Sequence, residues 1–216
     1  TSWKEFNKIV KMFLDKGIME RRGKYVMVKP VPLSIKLSVK WWEETPASDI
    51  RSILQELESI NNLGTRALDR LSQLEGLEIA KSIVNQLWGR NKPFSAAEVL
   101  NTYMGSHLFR LIVNVNPIVA LNALVSNYAR KSVEELKEIE GKGNLIVALR
   151  KLCYKKETFE EAAKLLMSFT IANNDSYGNV GGFKDLFNLI IESPKNITLM
   201  NLLFLILKKV LIIKRY

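Results

Sequence analysis

The chain has 216 residues, of which 47% are hydrophobic, and this composition excludes an intrinsically disordered protein. Proline and glycine are scarce, with 6 and 11 residues, which argues against a β-sandwich or barrel and favours a mainly α protein. Cys153 is the single cysteine, so an internal disulfide is excluded and a reducing cytoplasm fits. We therefore expect a cytoplasmic and largely helical protein.

The net charge of +10 is concentrated at the two ends of the chain. Residues 1–45 carry a net charge of +5, residues 46–140 a net charge of −1, and residues 141–216 a net charge of +6. Basic ends allow binding to nucleic acid or to an acidic protein surface. Solubility alone is the alternative explanation, because net charge says little about a specific site.

The first segment predicts an amphipathic helix from Ser2 to Lys16. Ser2 and Glu5 have the spacing of a capping box, in which each side chain binds the other residue's backbone N–H. Gly17 is a typical helix stop. The apolar residues recur at helical spacing and form one face of this helix: Trp3, Phe6, Ile9, Val10, Phe13 and Leu14.

Residues 18–28 predict two short β-strands joined by a turn at Arg22-Gly23. A helix followed by strand, turn and strand matches the second half of a winged helix. Residues 1–45 are therefore interpreted as a partial winged-helix segment with a small β-hairpin wing. Because the first half of the motif is missing, we expect that the chain was cut from a longer one.

Residues 46–216 predict an α-helical arm built as an antiparallel, repeat-like stack of helices. Apolar residues recur with helical periodicity in most of this range, and Gly76 marks the expected bend of a long helix or helix pair over residues 65–88. Three further capping boxes precede apolar runs: Ser95 with Glu98, Ser132 with Glu135, and Thr158 with Glu161.

The central stretch from Gly105 to Leu124 is strongly apolar and is interrupted at Asn116-Pro117. Proline is tolerated at the first position of a helix and disrupts a helix interior. The stretch therefore predicts two helices that meet at a corner, in the middle of the helical stack.

The last part of the chain combines a polar loop over residues 173–182, a helix over residues 183–191 and an aliphatic tail over residues 199–213. Lys208 and Lys209 interrupt the tail, and the apolar run before them is shorter than the roughly 20 residues that cross a bilayer. We expect a buried last helix. A helix that awaits a missing partner and a helix at a membrane interface remain the alternatives.

Four short features resemble chemical sites, and each has a simpler explanation. Residues 141–143 read Gly-Lys-Gly, but no strand precedes them and no Ser or Thr follows Lys142, so a turn is expected. His107 is the only histidine and suits capping or packing, and Cys153 suits a half-buried core thiol. The polar loop over residues 173–179 lacks the terminal Glu of a calcium loop. We therefore predict no catalytic, metal-binding or cofactor-binding residue.

Basic side chains of the first helix and of the wing are the candidate contacts with nucleic acid or protein. In a winged helix these surfaces meet the major groove and the flanking phosphates. Asp15 and Glu20 weaken the positive field, and no helix residue is placed to read base edges. The candidate residues are Lys4, Lys8, Lys11, Arg21, Arg22 and Lys24.

A set of packing and turn residues recurs in an order and spacing that is found in a known family: 63–65, 97–100, 105–110, 115–117, 144–149, 158–163 and 183–187. On these residues, from about Trp3 to Phe187, the chain resembles the helical region of large bacterial STAND-type P-loop NTPases. The resemblance implies a winged helix followed by an α-helical arm that serves as a sensor or oligomerisation scaffold, with the NTPase domain itself absent here. No nucleotide-binding residue of the family has a matching position in this sequence.

The sequence thus favours a non-enzymatic regulatory arm that contacts its own missing NTPase domain or another protein, in a nucleotide-switched signalling or defence protein. No cofactor and no transmembrane segment are expected. The alternative is a winged-helix DNA-binding regulator that uses the basic first helix and the wing. An enzyme would need clustered polar groups in a pocket, and no such cluster is recognisable in the sequence.

Overall fold

The structure, a computed structural model, describes residues 2–173 except 24, 30, 47, 48, 51, 55 and 57–62. It confirms a mainly α protein with a small β-hairpin. The chain divides into two compact units, Thr1–Pro46 and Ala47–Tyr216. The predicted polar loop after Asn173, the helix over residues 183–191 and the aliphatic tail lie outside the described residues, as does much of residues 47–62 in the first part of the predicted helical arm.

The N-terminal unit contains two helices and a hairpin: α1 (Trp3–Asp15), β1 (Met19–Arg22), β2 (Tyr25–Val28) and α2 (Val31–Glu44). The predicted capping box begins α1, with Glu5 N donating to Ser2 Oγ at 3.3 Å and Ser2 N donating to Glu5 Oε2 at 2.9 Å. The strands are antiparallel, and Arg22 pairs with Tyr25. Gly23 has φ +60° in the turn, a conformation that glycine adopts without steric cost. The predicted helix and hairpin are therefore confirmed.

The described part of the helical unit contains short and medium helices, and Gly76, with φ +94°, separates Leu63–Ser72 from Glu78–Trp88 at the predicted bend. The segment predicted as a long helix or a bent pair over residues 65–88 is therefore a pair. The helices are α3 (Leu63–Ser72), α4 (Glu78–Trp88), α5 (Ala97–Leu100), α6 (Tyr103–Ile112), α7 (Pro117–Tyr128), α8 (Val133–Lys137), α9 (Lys142–Cys153) and α10 (Phe159–Asn173).

The predicted corner in the central stretch lies between α6 and α7. Pro117 is the first residue of α7, and Asn116 caps it by accepting a hydrogen bond from Val119 N at 3.3 Å. The Asn116 amide also donates to Lys81 O in α4, at 3.3 Å. Helix α6 packs against α3, α5 and α9, and it buries Leu108 and Phe109. The central position predicted for this stretch is therefore confirmed.

The C-terminal part of the described core is formed by α9 and α10. Helix α10 packs against α7, α8 and α9. The rings of Tyr128 in α7 and Phe169 in α10 meet edge to face, with centroids 5.4 Å apart. Burial raises the pKa of Tyr128, whose hydroxyl donates to Asn101 Oδ1 at 2.9 Å. Helices α9 and α10 also bury aliphatic side chains: Leu145, Leu149 and Leu152 of α9, and Leu165 and Leu166 of α10.

Two of the predicted capping boxes form and two are replaced by other contacts. Ser132 and Glu135 form the box that begins α8. Ser95 instead bonds Lys92, accepting from its N–H at 3.2 Å and donating to its carbonyl at 2.9 Å, while Ala96 is the N-cap of α5. Thr158 Oγ1 donates to Leu152 O at 2.7 Å. These two predictions were wrong because a Ser or Thr hydroxyl bonds a nearby turn as readily as a helix start.

Candidate interaction surfaces

The three predicted lysines of α1 are exposed along the helix. Lys4, Lys8 and Lys11 are four and three residues apart, so they lie on one side of α1. None of them forms an ion pair with a described residue. Three unpaired cations on one side attract an anionic surface through long-range electrostatics. Their role as contacts for nucleic acid or protein stays a prediction.

The predicted wing arginines lie in β1 and do not share one surface. Successive side chains of a strand point to opposite faces, so Arg21 and Arg22 lie on different faces of the hairpin. Both are exposed, and Arg22 Nε donates to Glu20 Oε1 at 2.7 Å. This ion pair offsets one of the two charges. Lys24 lies outside the described residues.

The N-terminal unit leaves much of its apolar surface exposed. Among its described hydrophobic residues, Val10 and Trp42 are buried. Three of the six residues on the apolar side of α1, Trp3, Phe6 and Ile9, are exposed by 75%, 49% and 46%, and these three form what is here called the α1 apolar face. Trp3 and Phe6 stack on each other with ring centroids 5.6 Å apart. The α1 apolar face is therefore uncovered in the described part of the chain.

Further exposed apolar side chains lie in the same unit, both in the hairpin and in α2. A unit of this size is near the lower limit at which a chain forms a sufficient core by itself, because so much of its surface remains accessible. The unit is thus rich in uncovered apolar surface. The other exposed residues are Met12, Tyr25, Val26, Met27, Ile35, Leu37 and Trp41.

The helical unit contains a cleft of about 860 Å³ between the end of α4, the following loop over residues 89–96, and α7. Its volume falls within the range of about 300–1,000 Å³ that is typical of ligand pockets. The cleft was not predicted from the sequence. The signal that the sequence offers is the pair of cations in Arg90-Asn91-Lys92, whereas the exposure of Asn122 follows only from the structure.

The two reactive residue types of the helical unit are used in packing. Cys153 is buried, as expected of a core thiol, and burial raises its pKa to about 12. His107 lies within α6 and packs as predicted: its Nε2 is 3.1 Å from Thr65 Oγ1, and its ring stacks on Tyr103 with centroids 6.1 Å apart. Cys153 fits a structural role, since a thiol that remains protonated is a poor nucleophile. His107 fits a structural role because its ring packs against Tyr103 and Thr65.

The Gly-Lys-Gly segment begins α9 and is a helix contact. Gly141 N donates to Asn101 O at 2.9 Å, and a Cβ on Gly141 would lie 2.2 Å from Ser106 Oγ. The glycine therefore allows α9 to approach α6 closely. The predicted turn is wrong for Lys142 and Gly143, because α9 begins at Lys142 and Gly141 is its N-cap. In the described part of the chain, no group of three His, Cys, Asp or Glu residues is placed to hold a metal ion. Residues 174–179 of the polar loop are not described.

Comparison with protein-family models, with curated proteins and with solved structures finds no match to this chain. The resemblance to the helical region of STAND-type NTPases therefore stays a prediction. Among the described helices, none has the length and hydrophobicity needed to cross a bilayer.

Proposed function

We propose that the chain is a helical, non-enzymatic interaction arm that regulates a larger nucleotide-switched signalling or defence protein in the cytoplasm. The observation that supports this proposal is the uncovered apolar surface of the N-terminal unit, above all the α1 apolar face. Exposed apolar patches of this kind mark protein-interaction sites, because water disfavours them and a complementary protein surface removes them from water.

The partner that we propose for this surface is the nucleotide-binding part of the same larger protein. Full burial of a large apolar side chain contributes about 1.5–3 kcal/mol, so covering Trp3, Phe6 and Ile9 would supply several kcal/mol. A contact of this strength is sufficient to bias a two-state equilibrium, provided that it differs between the two states. The packed helices would then transmit the change as a rigid element.

The experiment is carried out on the protein encoded by the complete reading frame. Amide hydrogen exchange of α1 is measured with ADP bound and with a non-hydrolysable ATP analogue bound. We expect α1 to be protected in one nucleotide state and to exchange faster in the other. The double variant Trp3→Ser/Phe6→Ser should abolish the difference, whereas Asn7→Ser, at an exposed polar position of the same helix, should leave it unchanged.

Two results would remove this proposal. One is a complete reading frame that encodes no GxxxxGK[ST] segment following a predicted strand. The other is α1 exchange that is identical with both nucleotides. If α1 is protected by a different protein in both states, the chain is an interaction arm without nucleotide control, and the regulatory half of the proposal is lost.

DNA binding is the second candidate, and it is favoured by Lys4, Lys8 and Lys11, which have no ion-pair partner among the residues that the structure describes. It requires duplex affinity that falls with salt by roughly one log–log unit per phosphate contacted. The double variant Lys8→Glu/Arg21→Glu should weaken duplex binding strongly. Arg130→Glu/Lys156→Glu is the control with the same charge change at two exposed residues of the helical unit. Equal effects of the two variants would rule out a specific site on α1 and the wing.

A further inference from the structure

The wall of the cleft beside α4 is held in place before any ligand binds. Trp88 and Phe94 stack with ring centroids 4.9 Å apart, and Phe94 N donates to Leu87 O at 3.1 Å. Asn127 Nδ2 ties the loop to α7 by donating to Ser95 O at 2.7 Å. The loop between Trp88 and Phe94 is therefore anchored at both ends. This reduces the conformational entropy that the loop would lose when a ligand binds.

The charged side chains that line the cleft are both cations, Arg90 and Lys92. Both are exposed, and neither forms an ion pair with the described residues. No carboxylate belongs to the described lining of the cleft, so nothing there neutralises the two charges. The cleft therefore favours an anionic group, and the Arg90 guanidinium can bind a carboxylate through two parallel hydrogen bonds.

Side-chain amides line the rest of the cleft. Asn85 projects from α4 and Asn122 from α7, both residues are exposed, and their amides form no hydrogen bond with the described part of the chain. Ser126 lies one turn after Asn122 and donates to Ala123 O at 3.1 Å, which leaves its oxygen able to accept. An asparagine side chain offers both donors and an acceptor, so one amide can bind the C=O and the N–H of a peptide backbone.

We propose that this cleft binds an extended peptide segment that carries acidic side chains. Asn85 of α4 and Asn122 of α7 would bind its backbone, and Arg90 and Lys92 would bind its carboxylates. The small side chains of Ala96 and Ala123 in the lining leave room for the backbone to approach. The cleft belongs to the helical unit, and its proposed role does not depend on the function proposed for the α1 apolar face.

A single-stranded nucleic acid is the competing anionic ligand, and the lining disfavours it. Binding of single strands without sequence preference uses aromatic side chains on which the bases stack. The described lining of this cleft contains no aromatic residue. Side-chain amides on two helices that line one cleft suit a peptide backbone, which presents a donor and an acceptor in every residue.

The test selects random peptides of about ten residues, displayed on phage, on the full chain, and measures the affinity of the enriched peptides by fluorescence polarisation. We expect enrichment of peptides rich in Asp and Glu. Arg90→Ala/Lys92→Ala should weaken their binding about tenfold or more, and Asn122→Ala should weaken it several-fold. All three residues are exposed, so the variants should keep the circular dichroism spectrum of the parent chain.

The control Arg130→Ala/Lys156→Ala removes the same charge from exposed residues outside the cleft lining and should leave peptide affinity within about twofold at moderate salt. Equal losses in the two double variants would overturn the proposal, and so would selection without acidic enrichment. Tight binding of an oligothymidylate that depends on Arg90 and Lys92, with no enriched peptide, would assign the cleft to nucleic acid instead. Trp3→Ser/Phe6→Ser should not change peptide binding, which separates this test from that of the α1 apolar face.

Discussion

Asn144 of α9 donates a hydrogen bond from Nδ2 to Ser106 Oγ of α6, over 3.1 Å and 38 positions of sequence. Both residues are buried. Ser106 Oγ also donates to Tyr103 O at 2.9 Å, and Asn144 Nδ2 lies 3.3 Å from the same carbonyl. The three polar groups therefore satisfy one another where α6 and α9 approach each other, and a buried group without a partner would cost free energy.

Replacement of Asn144 by Ala should lower the free energy of unfolding by about 1–3 kcal/mol, because buried polar partners in α6 lose a hydrogen bond. Urea denaturation of Asn144→Ala, Ser106→Ala and the double variant measures the coupling, which we expect to be about 1 kcal/mol. Asn122→Ala is the control. It removes an exposed side-chain amide and should change the free energy of unfolding by less than about 0.5 kcal/mol. Additive losses in the double variant would contradict a direct bond between Asn144 and Ser106.

Substitution by alanine at the two glycines near the start of α9 should change the free energy of unfolding in opposite directions. In Gly141→Ala the new Cβ would lie 2.2 Å from Ser106 Oγ and 2.6 Å from the backbone oxygen of Thr102, so the helices must separate. We expect a loss of about 1–3 kcal/mol of unfolding free energy. Gly143 has no atom within 4 Å of the added Cβ and lies in the helix, so Gly143→Ala should gain up to about 1 kcal/mol. Equal effects of the two variants in thermal denaturation would contradict this helix contact.

Cys153 should make the protein less stable as the pH rises. Its pKa is raised from an ordinary value of 9.0 to about 12 by burial, so the folded state retains a proton that the unfolded state loses. The stabilisation is complete below the unfolded pKa, and above that value it falls by about 1.4 kcal/mol per pH unit. Urea denaturation from about pH 8 to about pH 10 should show this fall in the native chain and a smaller fall in Cys153→Ala.

A thiol reagent gives an independent measurement of the same property. At about pH 8 the Cys153 thiol of the folded chain should react much more slowly than the thiol of the chain unfolded in urea, since the buried thiol is protonated and covered. Rapid labelling of the folded chain would show that Cys153 is accessible. A parallel pH dependence of the native chain and Cys153→Ala would show that another group is responsible.

Two aromatic residues of the N-terminal unit should differ sharply in their contribution to stability. Trp42 is 3% exposed, and Trp42→Ser should destabilise this unit by about 3–5 kcal/mol or more, through a cavity and a buried hydroxyl. Phe6 lies on the α1 apolar face, and Phe6→Ser should cost less than about 1 kcal/mol in the isolated chain. Hydrogen exchange of the β1 and β2 amides reports on this unit alone. A large loss in Phe6→Ser would show that the chain itself covers the α1 apolar face.

Local signals in the sequence predicted where three helices begin, α1, α7 and α8. The Ser2–Glu5 and Ser132–Glu135 capping boxes and the start of α7 at Pro117 need only residues within one helical turn, so tertiary contacts did not alter them. The hairpin followed from its short alternating strands and from Gly23. The capping boxes predicted at Ser95 and Thr158 do not form, because the hydroxyls of these residues bond neighbouring turns instead. A single sequence does not show whether the turn or the helix start lies closer to such a hydroxyl.

The sequence by itself determined the mainly α class, the hairpin and the corner at Asn116-Pro117, because these depend on backbone geometry and on hydrogen bonds between near neighbours. Only the tertiary structure decided which apolar faces are covered and which polar side chains come together. The α1 apolar face has the periodicity of a buried helix and is exposed, and the cleft combines Asn85, Arg90 and Asn122 from three separate segments. Burial and proximity are set by where other elements pack, and periodicity reports only the side of a helix on which a residue lies.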